Sequence, residues 1–251
     1  MPVDIEYLGW STFRFFTENG TKLVIDPYLE GSRASRVPPG VVAVKDLTDT
    51  HMVIVTHAAQ DHSAQAAELM KESGATFFGA RDVAMKILKE GIPSERVFGM
   101  LPGVRFEFMG IHIKALEASH ISLSAFEGHY LTGVPLSFIL DFGPKEKIFF
   151  SGDSALGPHY RFFGEFYHPN LAILGIGGVY TNGQYLTELY PDEAAVAAKW
   201  LNVQAVIPMH YLDNEDKELE RELAKTAPEI QLAVMKPGER LRFSGNQGLL
   251  R

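Results

Sequence analysis

Short alternating or apolar runs open the chain, at Ile5 to Leu8, Thr12 to Phe16 and Leu23 to Ile25, with Glu18-Asn19-Gly20 as a turn between the last two. A period near two predicts a β-meander, because successive side chains of a strand point to opposite faces. The turn marker Asp26-Pro27 and a loop rich in Gly, Ser, Arg and Pro (Glu30 to Gly40) lead to Met52 to Val55, a continuous apolar run that predicts a strand buried on both faces. From Ser63 the pattern becomes helical. Ala64, Ala67, Leu69 and Met70 give an amphipathic helix closed by Gly74, Ala75 to Phe78 a strand, and Arg81 to Lys89 a second helix closed by Gly91.

Strand patterns resume at Arg105 to Met109, Ile111 to Ala115, Leu136 to Asp141, Lys147 to Phe150 and Leu171 to Gly175. Pro191 to Leu201 predicts a helix, with proline in its first turn, Asp192 and Glu193 behind it, and Ala194, Ala197, Ala198 and Leu201 on one face. Ala205 to Pro208 reads as a buried strand, Glu215 to Thr226 as a charged helix, and Gln231 to Phe243 as a hairpin turning at Pro237-Gly238. Two β-rich halves flanked by helices, with no repeat and no low-complexity linker, predict an α/β fold of two sheets packed face to face, helices outside, in one domain spanning residues 1–251.

A hydrophobic content of 46% beside 22% charged residues is that of a globular protein able to bury a large core and argues against disorder. The absence of cysteine removes disulfides and thiolate ligands, so a metal here must be held by imidazole, carboxylate or water. A net charge of −8 with no Lys/Arg-rich block argues against nucleic acid as a partner. The opening MPVDIEYLGW lacks the basic start and apolar run of a secretory signal, and no stretch approaches the ~18 apolar residues of a membrane span. These features predict a cytoplasmic protein with a small-molecule substrate and no membrane partner, and leave self-association open.

The chemistry concentrates in Val55-Thr56-His57-Ala58-Ala59-Gln60-Asp61-His62, which leaves a buried strand and brings three potential ligands together in His57, Asp61 and His62. Side chains at strand ends converge on pockets, and such a cluster is a poor fit to core packing or to a solvated face. Ala118-Ser119-His120, Phe150-Ser151-Gly152-Asp153-Ser154 and Ile207-Pro208-Met209-His210-Tyr211 occupy the same kind of position. Singly each reads as a turn or a hydrogen-bonded histidine. His51, His112, His159 and His168 read as surface or core residues.

Together and in this order, the four fragments resemble the successive motifs of the metallo-β-lactamase superfamily, in which a His-x-His-x-Asp-His loop, a later His, a bridging Asp in a Gly-Asp-Thr/Ser turn and a final His form a two-metal site. The resemblance implies a four-layer αββα sandwich and a metal-dependent hydrolase with His57, Asp61, His62, His120, Asp153 and His210 as ligands. It further implies that Asp61 both ligates and accepts a proton. Leu8-Gly9-Trp10-Ser11, Ile25-Asp26-Pro27, Gly177-Gly178 and Ile207 to Tyr211 resemble the branch containing L-ascorbate 6-phosphate lactonase. That branch implies a small ester, lactone or phosphoester substrate, for which Arg33 and Arg36 are candidate anion contacts against the alternative of a solvated loop.

Two residues depart from the pattern: Ala59 stands where the second His of the motif belongs, and Trp10 where the branch carries a His. The expectation is one tight divalent ion, Zn with Mn or Fe as alternatives, on Asp61, His62, Asp153 and His210. A second position with His57, His120 and the shared Asp153 is expected to be weak or absent unless Gln60 or His129 substitutes for the lost imidazole. In the family Asp26 lies behind the metal loop, where it orients a ligand; as Asp-Pro it also reads as a simple turn. Competing readings are a catalytically degenerate binding protein and a phosphodiesterase or nuclease of the superfamily.

Overall fold

The computed structural model describes residues 2–181, 183–245 and 247–250. Its first sheet has eight strands in the order Gly248–Leu250, Arg240–Ser244, Val3–Gly9, Thr12–Thr17, Lys22–Ile25, Met52–Val55, Thr76–Ala80 and Val97–Met100. The second has seven, in the order Gln231–Leu232, Ala205–Met209, Leu171–Gly175, Lys147–Phe150, Leu136–Asp141, Ile111–Glu117 and Arg105–Phe108.

The strand period of two sorts side chains between the layers. Ile148 and Phe150, Leu171 and Ile173, and Ala205 and Ile207 point into the core shared with the first sheet, where Phe13 meets Phe150 at 6.0 Å and Phe15 stacks on Phe142 at 5.8 Å. Their neighbours Phe149, Ala172, Leu174 and Val206 point the other way and pack with Tyr160 and Phe163, the alanine face of Pro191–Leu201, and Leu219 and Leu223. Helices Ala66–Ser73 and Arg81–Lys89 contribute Leu69, Met70, Val83 and Ile87 to the core on the side of the first sheet. The result is the expected four layers, helix–sheet–sheet–helix. Among the described residues no helix is long and apolar enough to cross a membrane.

Three differences from the sequence reading have physical causes. The hairpin expected at Gln231 to Phe243 does not form: Gln231–Leu232 pairs in parallel with Ala205–Met209 in one sheet, while Arg240–Ser244 pairs with Val3–Gly9 in the other. Pro237-Gly238 is a crossing between sheets. The helix expected from Ser63 begins earlier, at Gln60–Ser63, and breaks at Gln65, whose side chain accepts from the Leu29 amide and whose amide donates to the Pro27 carbonyl. Helix His159–Tyr167 is not expected from the sequence, because its aromatic residues fall all round it; in the fold Tyr160 and Phe163 are buried on one face while Phe162 and Phe166 stay exposed.

Phe13 has no exposed surface and touches Tyr7, Phe15 and Phe150 across the two sheets. Phe13→Ala is expected to cost about 3–5 kcal/mol of unfolding free energy, read from urea titration with an unchanged slope.

Candidate metal centre

The six predicted residues meet at one end of the sandwich. His57, Asp61 and His62 follow strand Met52–Val55 of the first sheet; His120, Asp153 and His210 follow Ile111–Glu117, Lys147–Phe150 and Ala205–Met209 of the second. The sheets are tied there, with the Leu136 amide donating to the Thr56 carbonyl at 3.0 Å. Gly152 allows the closest approach. It is left-handed (φ 58°), and a Cβ on it would stand 2.9 Å from Cβ and Cγ2 of Thr56.

Asp153 Oδ2 is the hub, lying 3.2 Å from His62 Nε2, 3.4 Å from His210 Nε2, 3.8 Å from His57 Nε2 and 4.0 Å from His120 Nε2. Asp61 Oδ2 is 3.2 Å from His210 Nε2 and 3.9 Å from His62 Nε2. Donors around one cation at ~2.1 Å in tetrahedral geometry are ~3.4 Å apart, so these separations suit shared coordination. His57 Nε2, His62 Nε2 and Asp153 Oδ1 are buried without a hydrogen-bond partner. Such orphaned atoms are costly unless a cation takes their lone pairs, and the donor set therefore fits a divalent metal.

Asp26 fixes which nitrogens are free. Its Oδ1 accepts the Thr56 amide at 2.7 Å, and its Oδ2 accepts the Thr56 hydroxyl at 2.7 Å and faces His62 Nδ1 at 2.8 Å. Having donated to Asp26, Thr56 Oγ1 accepts from His57 Nδ1 at 3.0 Å. In their neutral forms both rings thus keep their proton on Nδ1 and turn Nε2 to the centre. Asp26 is fully buried, as a residue orienting a ligand requires and a surface turn would not be.

Charges within the cluster offset one another. Burial pushes His62 down, but Asp153 and Asp26 outweigh it and hold the ring well above its ordinary range; His210 is raised against burial by Asp153 and by its hydrogen bond to Asp61. Burial raises Asp61 and Asp153, yet the hydrogen bond from His210 lowers the first and the charges of His210 and His62 lower the second. His57 and His120 are pushed down chiefly by burial.

Sequence reasoning missed two neighbours of the centre. Trp10 reads as a lost imidazole, but its Nε1 donates to Asp61 Oδ2 at 3.0 Å and its ring lies 4.2 Å from that of His210. Glu188, just before helix Pro191–Leu201, brings Oε1 within 3.8 Å of His120 Nδ1. Burial, then the Asp153 carboxylate, raises Glu188 to about 7. The sequence signal for Glu188 was indirect: a donor missing at Ala59 asks for one from elsewhere. Neither anticipated substitute is gathered in, Gln60 being exposed at the mouth and His129 exposed on the hairpin strand His129–Gly133. Arg36 is not free for an anion either, since it pairs with Asp213 at 3.1 Å and lies over the Tyr180 ring.

A cavity of about 110 Å³ opens beside Asp61, lined by Tyr28, Ser32, Ser35, Gln60 and Val179. Larger hollows of about 570 and 610 Å³ lie away from the ligand atoms, the first around Arg105, His112 and Lys147, the second around Ala64, Lys71 and Lys86. Chemistry, rather than size, selects the small one.

Residues 21–211 match the family described as beta-lactamase superfamily domain. A "UPF0173 metal-dependent hydrolase" of Rubrobacter xylanophilus is 32% identical over 94% of this chain and 95% of that protein, and its counterpart in Methanopyrus kandleri is 30% identical over 94% and 97%. Among solved structures, Igni18, a metallo hydrolase from Ignicoccus hospitalis, superposes with a TM-score of 0.76 at 26% identity, covering 97% of this chain and 99% of that one. The metallo-β-lactamase fold protein YhfI of Bacillus subtilis, with a TM-score of 0.70 at 14% identity over 96% and 100%, shares the fold.

A group whose pKa is raised on folding contributes stability that is complete below its unfolded value and lost as pH climbs through its folded one. His62, His210 and Glu188 are all of this kind, whereas His57 and His120 are neutral in both states above about 6.5. Protein stripped by a chelator should therefore melt at a lower temperature at about pH 8.5 than at about pH 6.5 in scanning calorimetry; a higher melting temperature at the alkaline end would contradict this charge balance.

Proposed function

The chain belongs to the beta-lactamase superfamily and is a metal-dependent hydrolase, and from that premise we propose that its centre cleaves a small ester, lactone or phosphoester. The observation that carries the reading is Asp153 Oδ2 within 4.0 Å of a ring nitrogen on His57, His62, His120 and His210, with the Nε2 atoms of His57 and His62 otherwise unpartnered. Asp61, His62, Asp153 and His210 would hold one divalent ion tightly, and His57 and His120 with Asp153 would form the second position. An all-nitrogen-and-oxygen set suits Zn first, with Mn or Fe as alternatives.

When bound, a divalent ion supplies Lewis acidity, lowering the pKa of water towards neutrality and polarising a carbonyl or phosphoryl oxygen. The chain supplies the rest. Asp61, the ligand side chain most open to solvent at 23%, faces the small cavity and is the group placed to take a proton from the attacking water and return it to the leaving oxygen. Trp10 Nε1 holds Asp61 Oδ2 in place, leaving Oδ1 for the proton. Asp26 keeps His57 and His62 in the ligating tautomer.

The resemblance of Leu8 to Ser11 and Ile207 to Tyr211 to the lactonase-like branch supports a small substrate, as does the narrow cavity at Asp61. With Arg36 paired to Asp213 and Arg33 exposed, an anionic substrate would be recognised through the ions and the hydroxyls of Tyr28, Ser32 and Ser35. We take residues 1–251 as one domain acting on a small molecule, with no nucleic-acid partner.

Plasma mass spectrometry on protein purified without added metal should find at least one ion per chain, lost on His210→Ala. Asp61→Asn should lower kcat on a lactone or phosphoester panel by about 10²–10⁴-fold. A chain that takes up no metal even when supplied would overturn the hydrolase reading.

A further inference from the structure

We propose that Glu188 supplies the donor that Ala59 does not, completing with His57, His120 and Asp153 a position for a second divalent cation. This rests on the hydrolase reading above and goes beyond it, because the ligand motif alone leaves that position one donor short.

The geometry is specific. One ligand atom each from His120, Asp153 and Glu188 lie within 4.8 Å of one another, and Asp153 Oδ2 is also 3.8 Å from His57 Nε2. His120, Asp153 and Glu188 form one three-donor cluster, and His57 adjoins it through the shared Asp153, so the nitrogen and oxygen set is of the kind that Zn, Mn or Fe accepts. Ala59, between Ala58 and Gln60 at the N-cap of the short helix Gln60–Ser63, offers no donor.

Glu188 is placed by anchors on either side. Upstream, the Tyr185 hydroxyl donates to Glu215 at 2.5 Å and accepts the Gly178 amide at 3.1 Å, pinning the hairpin Gly178–Thr181 and Gln184–Thr187 to the start of helix Glu215–Thr226. Downstream, Leu189 is 1% exposed in the outer core, and the Tyr190 amide is held by Glu193. Its carboxylate is only 25% exposed, and among the described residues no lysine or arginine pairs with it, leaving His120 as its partner. Two carboxylates, Glu188 and Asp153, thus share a partly buried space where like charges repel. A cation between them relieves that repulsion and makes use of both.

The alternative role for Glu188 is to orient His120 through Nδ1 without touching an ion. Glutamine separates the two, since it keeps shape and hydrogen bonding but is a poor ligand. The full chain, stripped with a chelator and dialysed against Zn²⁺, is assayed for bound ions by plasma mass spectrometry, with stepwise affinities from competition against a chromophoric chelator. The wild type is expected to bind two ions. Glu188→Gln should weaken the second by at least ~10-fold while leaving the first unchanged, and Ala59→His in the Glu188→Gln background should restore it. His210→Ala, run in parallel, should weaken the first. A second ion held by Glu188→Gln with unchanged affinity, or a wild type that binds only one, would overturn the proposal and leave the hydrolase reading standing. A wild type that binds none would overturn both.

Discussion

The carboxylate of Asp26 has no exposure to solvent, and the working end of the molecule is arranged around making that burial tolerable. It lies just past strand Lys22–Ile25, its amide donating to Ile54 and its carbonyl accepting from the Thr12 hydroxyl, so three neighbouring strands are fastened at the level where the ligands begin. An isolated buried carboxylate would cost several kcal/mol. The Thr56 amide and hydroxyl and the His62 ring offset this, and each partner is thereby fixed in place. The candidate ligand peptide that follows Thr56 starts from a backbone held by these bonds.

The same economy governs the centre itself. The carboxylates of Asp153 and Asp26 favour the protonated form of His62, those of Asp153 and Asp61 that of His210, and burial favours the neutral forms of His57 and His120. A divalent ion held by these residues would take the place of such protons with little change in local charge. Backbone strain is present here too: Trp10, Asp26 and His210, three of the eight left-handed non-glycine residues among those described, sit at φ 52°, 48° and 58°, a conformation that costs about 1–2 kcal/mol each. Each is over-determined. His210 donates its amide to the Trp10 carbonyl, which also accepts the Tyr7 hydroxyl, while the indole packs against the imidazole.

Much of this was legible in the sequence because it follows from periodicity and from strand ends. Met52–Val55, Leu136–Asp141, Lys147–Phe150 and Leu171–Gly175 are bounded by turn chemistry that marks where side chains gather. The candidate ligand motifs stand at such ends, and the fold brings their side chains together. What was illegible depends on contacts distant along the chain. Nothing local announces that Gln231–Leu232 and Arg240–Ser244 join different sheets, since the competition is between partners far away. Trp10 read as the loss of a ligand because a motif comparison registers the missing imidazole and not the indole N–H that reaches Asp61. Glu188 sits between a hairpin and a helix with no motif of its own, and only the anchors at Tyr185 and Leu189 give it an address.

The pairing of Val3 with Phe243 sets a condition on folding. Strand Val3–Gly9 and its neighbour Arg240–Ser244 lie more than two hundred residues apart along the chain, and without the later strand one side of Val3–Gly9 would present unpaired N–H and C=O groups. An open edge of that kind is a template for pairing with other chains. The six candidate ligands are all in place along the chain by His210, yet strand Val3–Gly9 has no second neighbour until Arg240–Ser244 follows, so the centre and the sheet that carries it draw on opposite ends of the same stretch of sequence.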